Sequence, residues 1–264
     1  MVRLKVRRQD GDRVWHETFD VEETPGMSVL EALFSVQERL DGGLCFRYSC
    51  RGAVCGSCAM LINKVPRLAC RTQVSDARSE MTVDAVKWGA LARPVVRVAK
   101  AEILIEPLPN MKVIRDLVVD MDHFYELLDS IKPWISAGED VPEGGNLMSP
   151  AVEQKIEVYT NCILCAICHG ACPAAGRDET YLGPAALAKA WRFYLDPREP
   201  EKDKRARLEA VDNQSGVWGC DGVFKCTAVC PKKVTPTQGI LAQRRQIPKN
   251  KIKNVFNRGK KSED

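Results

Sequence analysis

The residues best able to do chemistry in this chain are its 12 cysteines, a high number for 264 residues. They lie in two blocks, residues 45–70 and 162–230, with no cysteine between the blocks. Clustered cysteines in a cytosolic protein are typical of metal ligands, whereas those of small secreted domains are typical of disulfides. The spacing inside each block therefore decides which kind of metal site to expect.

The first block has the spacing C-x4-C-x2-C followed by a fourth cysteine, the plant-type pattern for one [2Fe–2S] cluster. Gly52 and Gly56 lie between the ligands and allow the loop to turn N–H groups toward an anionic cluster. Arg51 adds positive charge, which favours the more negative, reduced state. The four predicted ligands are Cys50, Cys55, Cys58 and Cys70.

A zinc site with four cysteines is the alternative for this block. Such sites usually contain two CxxC pairs, and here only Cys55 and Cys58 form one. The spacing therefore favours the [2Fe–2S] cluster. Cys45 lies outside the set, and we expect it to be a small buried side chain.

The second block begins with a complete bacterial ferredoxin run, C-x2-C-x2-C-x3-C-P, from Cys162 to Pro173. A second run ends at Cys230-Pro231 but has Val223 where its middle cysteine should be. In two-cluster ferredoxins the fourth cysteine of each run binds the other cluster. Crossing the runs in this way gives one complete thiolate set for a [4Fe–4S] cluster, made of Cys162, Cys165, Cys168 and Cys230.

The remaining set has only three thiolates. Because Val223 cannot bind iron, one iron would be lost easily, and the sequence predicts a [3Fe–4S] cluster of higher reduction potential. A structural zinc site would need neither the crossed ligand pattern nor the paired Cys-Pro endings, so these features argue against zinc. His169 lies between ligands, and we expect it to sit beside them or in solvent without binding iron. The three predicted ligands are Cys172, Cys220 and Cys226.

The composition fits a soluble globular protein, with 45% hydrophobic and 28% charged residues. At about 150 residues per domain, the length predicts about two domains. No run of 18 apolar residues occurs, and the segment MVRLKVRRQDGDRVW has no apolar stretch typical of a signal peptide. We therefore expect a cytoplasmic chain that does not itself span a membrane.

The net charge of +4 is concentrated at the C-terminus, where residues 244–264 hold eight Lys or Arg against two Asp or Glu. One interpretation is a solvated, partly disordered extension. The other is a basic arm that contacts anionic lipid or a partner subunit. The basic residues are not interleaved with aromatic ones, so we expect no nucleic-acid partner.

Two kinds of element must position these cysteines. Alternating apolar residues predict strands near the N-terminus and at Ala59–Ile62, Met81–Val83 and Val95–Ile105, and Ser28 with Glu31 predicts a capped helix between them. After Pro107 and Pro109 the pattern is helical. We predict helices at Asp116–Ile135, Pro184–Leu195 and Pro200–Val211, and another that starts at Thr235-Pro236. Residues 136–149 are expected to form an exposed loop.

These elements predict an α+β chain with three parts. Residues 1–106 would form a small sheet crossed by one helix, residues 107–245 a helical domain with two clusters, and residues 246–264 a basic tail. We find no GxGxxG motif for a dinucleotide and no acid–base constellation for catalysis. Three clusters without a substrate site indicate an electron-transfer protein whose electron donor and acceptor are on partner subunits.

The sequence resembles the iron–sulfur subunit of the succinate dehydrogenase and fumarate reductase family from about residue 2 to residue 245. The cluster motifs carry this resemblance, together with PLPNMKVIRDLVVDMDHF, YLGPAAL and GVWGC. The cluster motifs are SCRGAVCGSC (Ser49–Cys58), LAC (Leu68–Cys70), CILCAICHGACP (Cys162–Pro173) and CDGVFKCTAVCP (Cys220–Pro231).

The resemblance implies a β-grasp [2Fe–2S] ferredoxin domain followed by an all-α bacterial-ferredoxin-like domain. It implies a flavoprotein partner, where FAD interconverts succinate and fumarate, and membrane-anchor subunits that bind quinone and can hold haem b. Electrons would pass between FAD and quinone through the [2Fe–2S], [4Fe–4S] and [3Fe–4S] clusters in that order, in either direction. The chain would lie peripherally on the cytoplasmic side of a bacterial inner membrane.

In this family the quinone site lies near the three-iron cluster. By motif position, the resemblance implies that Pro173, Asp221, Val223 and Arg244 are near it. The chain departs from many dehydrogenases here, because residues 174–176 contain no tryptophan and Asp221 replaces a histidine of some members.

The motifs RDLVVDM and NQSGVWGC are more similar to those of fumarate reductases, so we expect the fumarate-reducing direction. One alternative is a soluble, thiol-linked fumarate reductase, which would be expected to carry a further cysteine-rich segment. An alternative of another class is a zinc-stabilised interaction protein.

Overall fold

The computed structural model describes residues 1–79, 102–136 and 143–260, with side chains through residue 252. The predicted strand Met81–Val83, the start of Val95–Ile105 and part of the predicted loop 136–149 lie outside these ranges. The chain divides into two compact units, Met1–Asp120 and Met121–Asp264. The first boundary that we predicted, at residue 106, falls before the end of the first unit.

The first unit is built on a mixed sheet, with seven strands among the described residues. The strand order is β4-β3-β5-β1-β6-β7, and β2 pairs with β1. The first and fifth strands are parallel, with Leu4 opposite Ile103, whereas the other pairs are antiparallel. The strands are β1 Val2–Asp10, β2 Arg13–Val21, β3 Ala59–Ile62, β4 Val65–Leu68, β5 Glu102–Glu106, β6 Val113–Arg115 and β7 Val118–Val119.

Helix α1 (Val29–Arg39) supplies the apolar stripe for the core of this unit, which the strands complete with Leu4, Val6 and Ile103. Its start is the predicted capping box. The Glu31 N–H donates to Ser28 Oγ at 3.2 Å, and the Ser28 N–H donates to the Glu31 carboxylate at 2.7 Å. A second short helix, α2, spans Val74–Ser79.

The second unit is helical, as predicted. Its long helices enclose an apolar core that includes Tyr181, Leu187 and Ile240. Three short helices lie in the cysteine motifs: two contain a cysteine, and one directly follows Cys172. The long helices are α3 Asp122–Asp129, α4 Pro150–Thr160, α7 Gly183–Leu195, α8 Glu201–Val211 and α10 Pro236–Lys260. The short ones are α5 Ile167–Gly170, α6 Pro173–Arg177 and α9 Lys225–Ala228, and a 3-10 turn covers Val217–Gly219. Within the described ranges, none of the helices has the length and apolar content needed to cross a membrane.

The helix predicted over Asp116–Ile135 is wrong at both ends, because helix α3 covers only Asp122–Asp129. Strands β6 and β7 form a hairpin there, and Asp116 at the turn has a left-handed φ of 46°. Helix α3 starts only at Asp122. The β-branched residues near the turn pair across the hairpin, Val113 opposite Val119, because this buries Val119 in the sheet.

Helix α10 begins at Pro236, as the Thr235-Pro236 pair predicts, and its backbone continues to Lys260. It therefore crosses the boundary that we placed at residue 245. Ile247 is only 4% exposed and packs in the apolar core. The Lys251 ammonium pairs with Asp212 at 2.5 Å. The first turns of the segment that we treated as a tail thus belong to the packed helical unit.

Candidate metal centres

The loop after Phe46 gathers N–H donors around one cysteine sulfur. The N–H groups of Gly52, Val54 and Cys55 lie 3.4, 3.3 and 3.2 Å from Cys50 Sγ. The Cys50 N–H lies 3.4 Å from Cys55 Sγ. Such donors stabilise thiolate ligands and the anionic cluster that they hold.

The backbone of this loop turns at three residues with positive φ, namely Arg51 at 54°, Ala53 at 57° and Gly56 at 78°. We expected glycines to provide the turns of this loop, and Gly56 does so. Near Gly52 the positive φ angles belong instead to its neighbours Arg51 and Ala53. The Arg51 guanidinium lies 4.8 Å from the Phe34 ring centroid and 5.7 Å from that of Tyr48. This aromatic support fixes the exposed side of the loop.

The four cysteines of the first block differ in exposure and acidity. Cys50 and Cys55 are exposed, whereas Cys58 is buried and Cys70 is half-buried. Burial acts to raise the pKa of Cys55, but hydrogen bonds from Ser57 and from the Cys50 backbone outweigh burial and lower this pKa to about 6. Burial raises the pKa of Cys58 to about 12. The Cys70 N–H lies 3.5 Å from Cys58 Sγ, which brings the fourth cysteine to the loop.

Cys45 is half-buried, so the expectation of a buried side chain is only partly met. Its backbone has a defined partner that the sequence did not indicate. The Cys45 N–H donates to Asp116 Oδ2 at 3.0 Å, and the Leu117 N–H donates to the Cys45 carbonyl at 3.2 Å. The segment that enters the cluster loop is thereby tied to the turn between β6 and β7.

The second unit brings the late cysteines together at two separate cavities. The first has apolar walls that include Ile163, Ala185 and Val234. Left-handed backbone at Leu164 and Ala166 curves the chain around it. The cysteines at this cavity are Cys162, Cys165, Cys168 and Cys230.

The second cavity lies between the Cys172-Pro173 segment and residues 220–226. Val223, Pro173 and Asp221 line it, while Tyr181 and Thr237 add two hydroxyl groups that the sequence did not single out. Val223 is 42% exposed, so this wall is open toward solvent. The cysteines at this cavity are Cys172, Cys220 and Cys226. We call the two spaces the four-thiol cavity and the three-thiol cavity.

Burial raises the pKa of thiols at both cavities. It raises the pKa of Cys165 to about 11 and that of Cys168 well above its usual range. The pKa of Cys172 and that of Cys226 are raised by the same cause. Thiolates in these places need nearby positive charge, which iron ions supply when they bind.

Arg244 does not line the three-thiol cavity but supports its wall. Its guanidinium donates to the carbonyls of Val217 at 2.8 Å and Cys220 at 2.7 Å, and it lies 5.5 Å from the Trp218 ring centroid. On the other side, Asp221 accepts from Arg177 at 2.8 Å, and this bond lowers its pKa. Arg244 and Arg177 thus hold the Cys220 loop from two helices.

His169 is 4% exposed, so it is a packed side chain and is not solvated. Its ring meets Phe124 edge-on at 5.8 Å. A Cβ at Gly183 would lie 2.9 Å from its Nδ1, so this position needs glycine.

Among the described residues, no three His, Cys, Asp or Glu side chains converge closely enough to hold a single metal ion.

Comparisons with known proteins match both units. Residues 3–126 match the family model of the 2Fe-2S iron-sulfur cluster binding domain, and residues 158–234 match that of the 4Fe-4S dicluster domain. The chain is 38% identical over 214 residues to the fumarate reductase iron–sulfur subunit of Escherichia coli O6:H1, an alignment that covers 81% of this chain and 78% of that protein.

It is also 38% identical over 223 residues to the mitochondrial succinate dehydrogenase [ubiquinone] iron–sulfur subunit of Dictyostelium discoideum, covering 81% of this chain and 70% of that protein. Among solved structures, a chain of the Mycobacterium smegmatis Sdh1 complex in the apo form superposes with a TM-score of 0.80 at 23% identity. That match covers 95% of this chain and 97% of the other. This last similarity concerns the fold.

Proposed function

The chain belongs to the family of iron–sulfur subunits of fumarate reductase and succinate dehydrogenase, and from this premise we propose how its cysteines divide among three clusters. Its role is electron transfer, and its two domains are of the [2Fe–2S] and [4Fe–4S] kinds. We propose that the first block holds the [2Fe–2S] cluster through Cys50, Cys55, Cys58 and Cys70.

The observation that carries the proposal is the division of seven late cysteines between two cavities. Cys230 faces the four-thiol cavity, although it ends the second run, and Cys172 faces the three-thiol cavity, although it ends the first. This arrangement supports the crossed ligand sets. We therefore propose [4Fe–4S] at the four-thiol cavity and [3Fe–4S] at the three-thiol cavity, where Val223 stands in place of a fourth thiol.

When bound, such clusters accept and release single electrons. The chain's own residues hold them and set their surroundings. At the first site, N–H donors around Cys50 stabilise negative charge. At the four-thiol cavity, apolar walls limit contact with water.

We propose that the electron partners are on other subunits. One is a flavoprotein whose FAD interconverts succinate and fumarate, and the other is a membrane anchor that binds quinone and can hold haem b. The three-thiol cavity supports a quinone nearby because its wall at Val223 is exposed. Pro173 and Asp221 line the same cavity, and Arg244 holds its wall through Cys220. The chain would then lie peripherally on the cytoplasmic face of a bacterial inner membrane.

For direction, we propose fumarate reduction with electrons from quinol. The relatives include both fumarate reductase and succinate dehydrogenase subunits at 38% identity. Turnover of the purified complex in both directions tests this: fumarate-dependent quinol oxidation should exceed succinate-dependent quinone reduction. A faster succinate reaction would overturn the direction, and recovery of active complex only in the soluble fraction would favour the thiol-linked alternative.

The cluster assignment is tested by low-temperature EPR of the purified complex, as oxidised and after dithionite reduction, with iron, sulfide and zinc analysis. We expect a three-iron signal in the oxidised sample and [2Fe–2S] and [4Fe–4S] signals after reduction. Full iron and sulfide content without the three-iron signal would overturn the assignment at the three-thiol cavity. Zinc without iron or sulfide would instead favour the interaction protein.

A further inference from the structure

Two buried hydroxyl groups face the sulfurs of the three-thiol cavity. Thr237, the second residue of α10, is 1% exposed, and its Oγ1 lies 3.0 Å from Cys226 Sγ. Tyr181 is also 1% exposed and lines the same cavity. Neither residue belongs to the cysteine motifs.

The direction of the Thr237 hydrogen bond follows from the state of the sulfur. A free thiol could donate to the hydroxyl, but a cysteine bound to iron is a thiolate without a proton. With iron bound, Thr237 is therefore the only possible donor of the pair, and Cys226 the acceptor. In agreement, the Thr237 hydroxyl acts to lower the pKa of Cys226, against the dominant effect of burial.

The Tyr181 hydroxyl is buried and makes no regular hydrogen bond to the described protein atoms, and the Cys220 side chain lies beside it. A buried O–H without a partner is unfavourable, so its surroundings should supply an acceptor. Burial raises its pKa, with further contributions from the charges of Cys220 and Cys172, so the hydroxyl keeps its proton. Sulfur atoms of a bound cluster and its ligands are the acceptors that this cavity can offer.

The backbone holds Tyr181 in this position. A Cβ at Gly219 would lie 2.9 Å from Tyr181 Cδ2, so the ring packs directly on the glycine before Cys220. The Tyr181 N–H has a local partner as well, because it donates to the Asp178 carbonyl at 3.2 Å. The hydroxyl direction is therefore fixed by the core and not by solvent.

We infer that Thr237 and Tyr181 are the residues that raise the reduction potential of the three-thiol cluster, by donating hydrogen bonds to its sulfurs. Hydrogen bonds to sulfur stabilise the reduced state, which carries one more negative charge. The inference rests on the proposed function, because it needs a cluster at this cavity. It adds to that proposal two named donors outside the ligand set.

The test is a redox titration of the complex, following the three-iron EPR signal in the wild type and in Thr237→Val, Thr237→Ser, Tyr181→Phe and Tyr159→Phe. At the wild-type midpoint potential, Thr237→Val and Tyr181→Phe should each lower the ratio of reduced to oxidised cluster at least threefold. Thr237→Ser keeps the donor and should keep the ratio. Tyr159→Phe removes a tyrosine hydroxyl in the cluster that packs against Cys162 and Cys230 of the four-thiol cavity, so it should leave the three-iron ratio unchanged.

Full three-iron signals with unchanged midpoints in both Thr237→Val and Tyr181→Phe would overturn this inference and leave the proposed function intact. A wild type without any three-iron signal would overturn the cluster assignment itself, and the inference with it. If Thr237→Val fails to assemble, ENDOR of the wild type in H₂O and D₂O decides the question. The absence of exchangeable hydroxyl protons coupled to the three-iron centre would then contradict the inference.

Discussion

Arg8 and Asp116 are 108 residues apart in the chain and form a buried ion pair, with Arg8 Nε 2.9 Å from Asp116 Oδ1. Arg8 is 5% exposed and Asp116 is 1% exposed. The same carboxylate accepts the N–H of Gln9 at 3.1 Å and that of Cys45 at 3.0 Å. One side chain thus joins the first strand, the β6–β7 turn and the segment that leads into the [2Fe–2S] loop.

Replacing Asp116 by alanine should destabilise the first domain by about 3 kcal/mol, because it leaves buried donors without an acceptor. Arg8 keeps Asp41 and Glu17 as partners. Thermal unfolding, followed by bleaching of the [2Fe–2S] absorption, measures the change. The control is Asp20→Ala, which breaks a pair with Arg3 whose side chains are both 52% exposed. The control should cost clearly less than Asp116→Ala, because water screens an exposed pair, and equal losses in the two variants would contradict the special role of Asp116.

Asp116 also shows where sequence reasoning failed. Its surroundings contain apolar residues at spacings that suit a helix, yet the β-branched Val118 and Val119 form a strand after it. The left-handed φ of 46° at the turn is available to aspartate, but nothing in the local sequence distinguishes it from helical aspartate. Contacts of Asp116 with Arg8 and Cys45 favour the hairpin turn over a helix. Both residues are distant in the sequence, so a local sequence pattern does not include these contacts.

The grouping of the late cysteines was more predictable than the fold around them, because cysteine spacing is local and chemically specific. The crossed sets could be predicted from two Cys-Pro runs, and the cavities group the same cysteines. The hydroxyls of Tyr181 and Thr237 could not be predicted in this way, since packing alone brings them to the cavity. Helix α4 could have been found, because Ser149-Pro150 is a good helix start.

Replacing Val223 by cysteine should supply a fourth thiolate at the three-thiol cavity and convert the proposed [3Fe–4S] cluster to [4Fe–4S]. The position lines the three-thiol cavity, so the new thiol needs no change of the backbone. We expect loss of the oxidised three-iron EPR signal, a lower potential and slower quinone reactions. Val223→Ala, which adds no ligand, should keep the signal. A full three-iron signal in Val223→Cys would show that this residue does not set the cluster type.

Gly219 and Gly144 form a matched pair for testing the segment before Cys220. A Cβ at Gly219 would lie 2.3 Å from the Gln214 carbonyl oxygen, whereas one at Gly144 meets nothing within 4 Å. Gly219→Ala should therefore destabilise the helical domain by about 3 kcal/mol and reduce the content of three-iron cluster. Gly144→Ala should leave both unchanged. Thermal unfolding and quantitative EPR measure the two effects, and wild-type behaviour of Gly219→Ala would refute the close contact.

The capping box predicts a pH dependence of known sign. The backbone and hydroxyl of Ser28 lower the pKa of Glu31. A carboxylate with a lowered folded-state pKa stabilises the protein above its unfolded pKa of about 4.3, and the contribution is lost as the pH falls through the folded value. The stability advantage of the wild type over Glu31→Gln should thus be constant near neutrality and shrink below about pH 4. Ser28→Ala should cost about 1 kcal/mol at pH 7. An advantage that grows in acid would contradict the sign.

Ile247 and Ile252 lie in the same helix, one turn and a half apart, and differ in burial. Ile247 is 4% exposed and packs in the core, whereas Ile252 is 58% exposed. Truncating a buried isoleucine to alanine costs about 2–5 kcal/mol, so Ile247→Ala should lower the unfolding temperature of the helical domain clearly and Ile252→Ala hardly at all. The comparison tests whether α10 remains packed beyond residue 245.

Equal, small effects would mean that the basic extension starts where the sequence placed it, and a deletion from residue 246 would then remove solvated chain only. With the expected difference, a deletion that probes lipid or subunit binding has to start after Ile247, because an earlier one would remove a residue of the core.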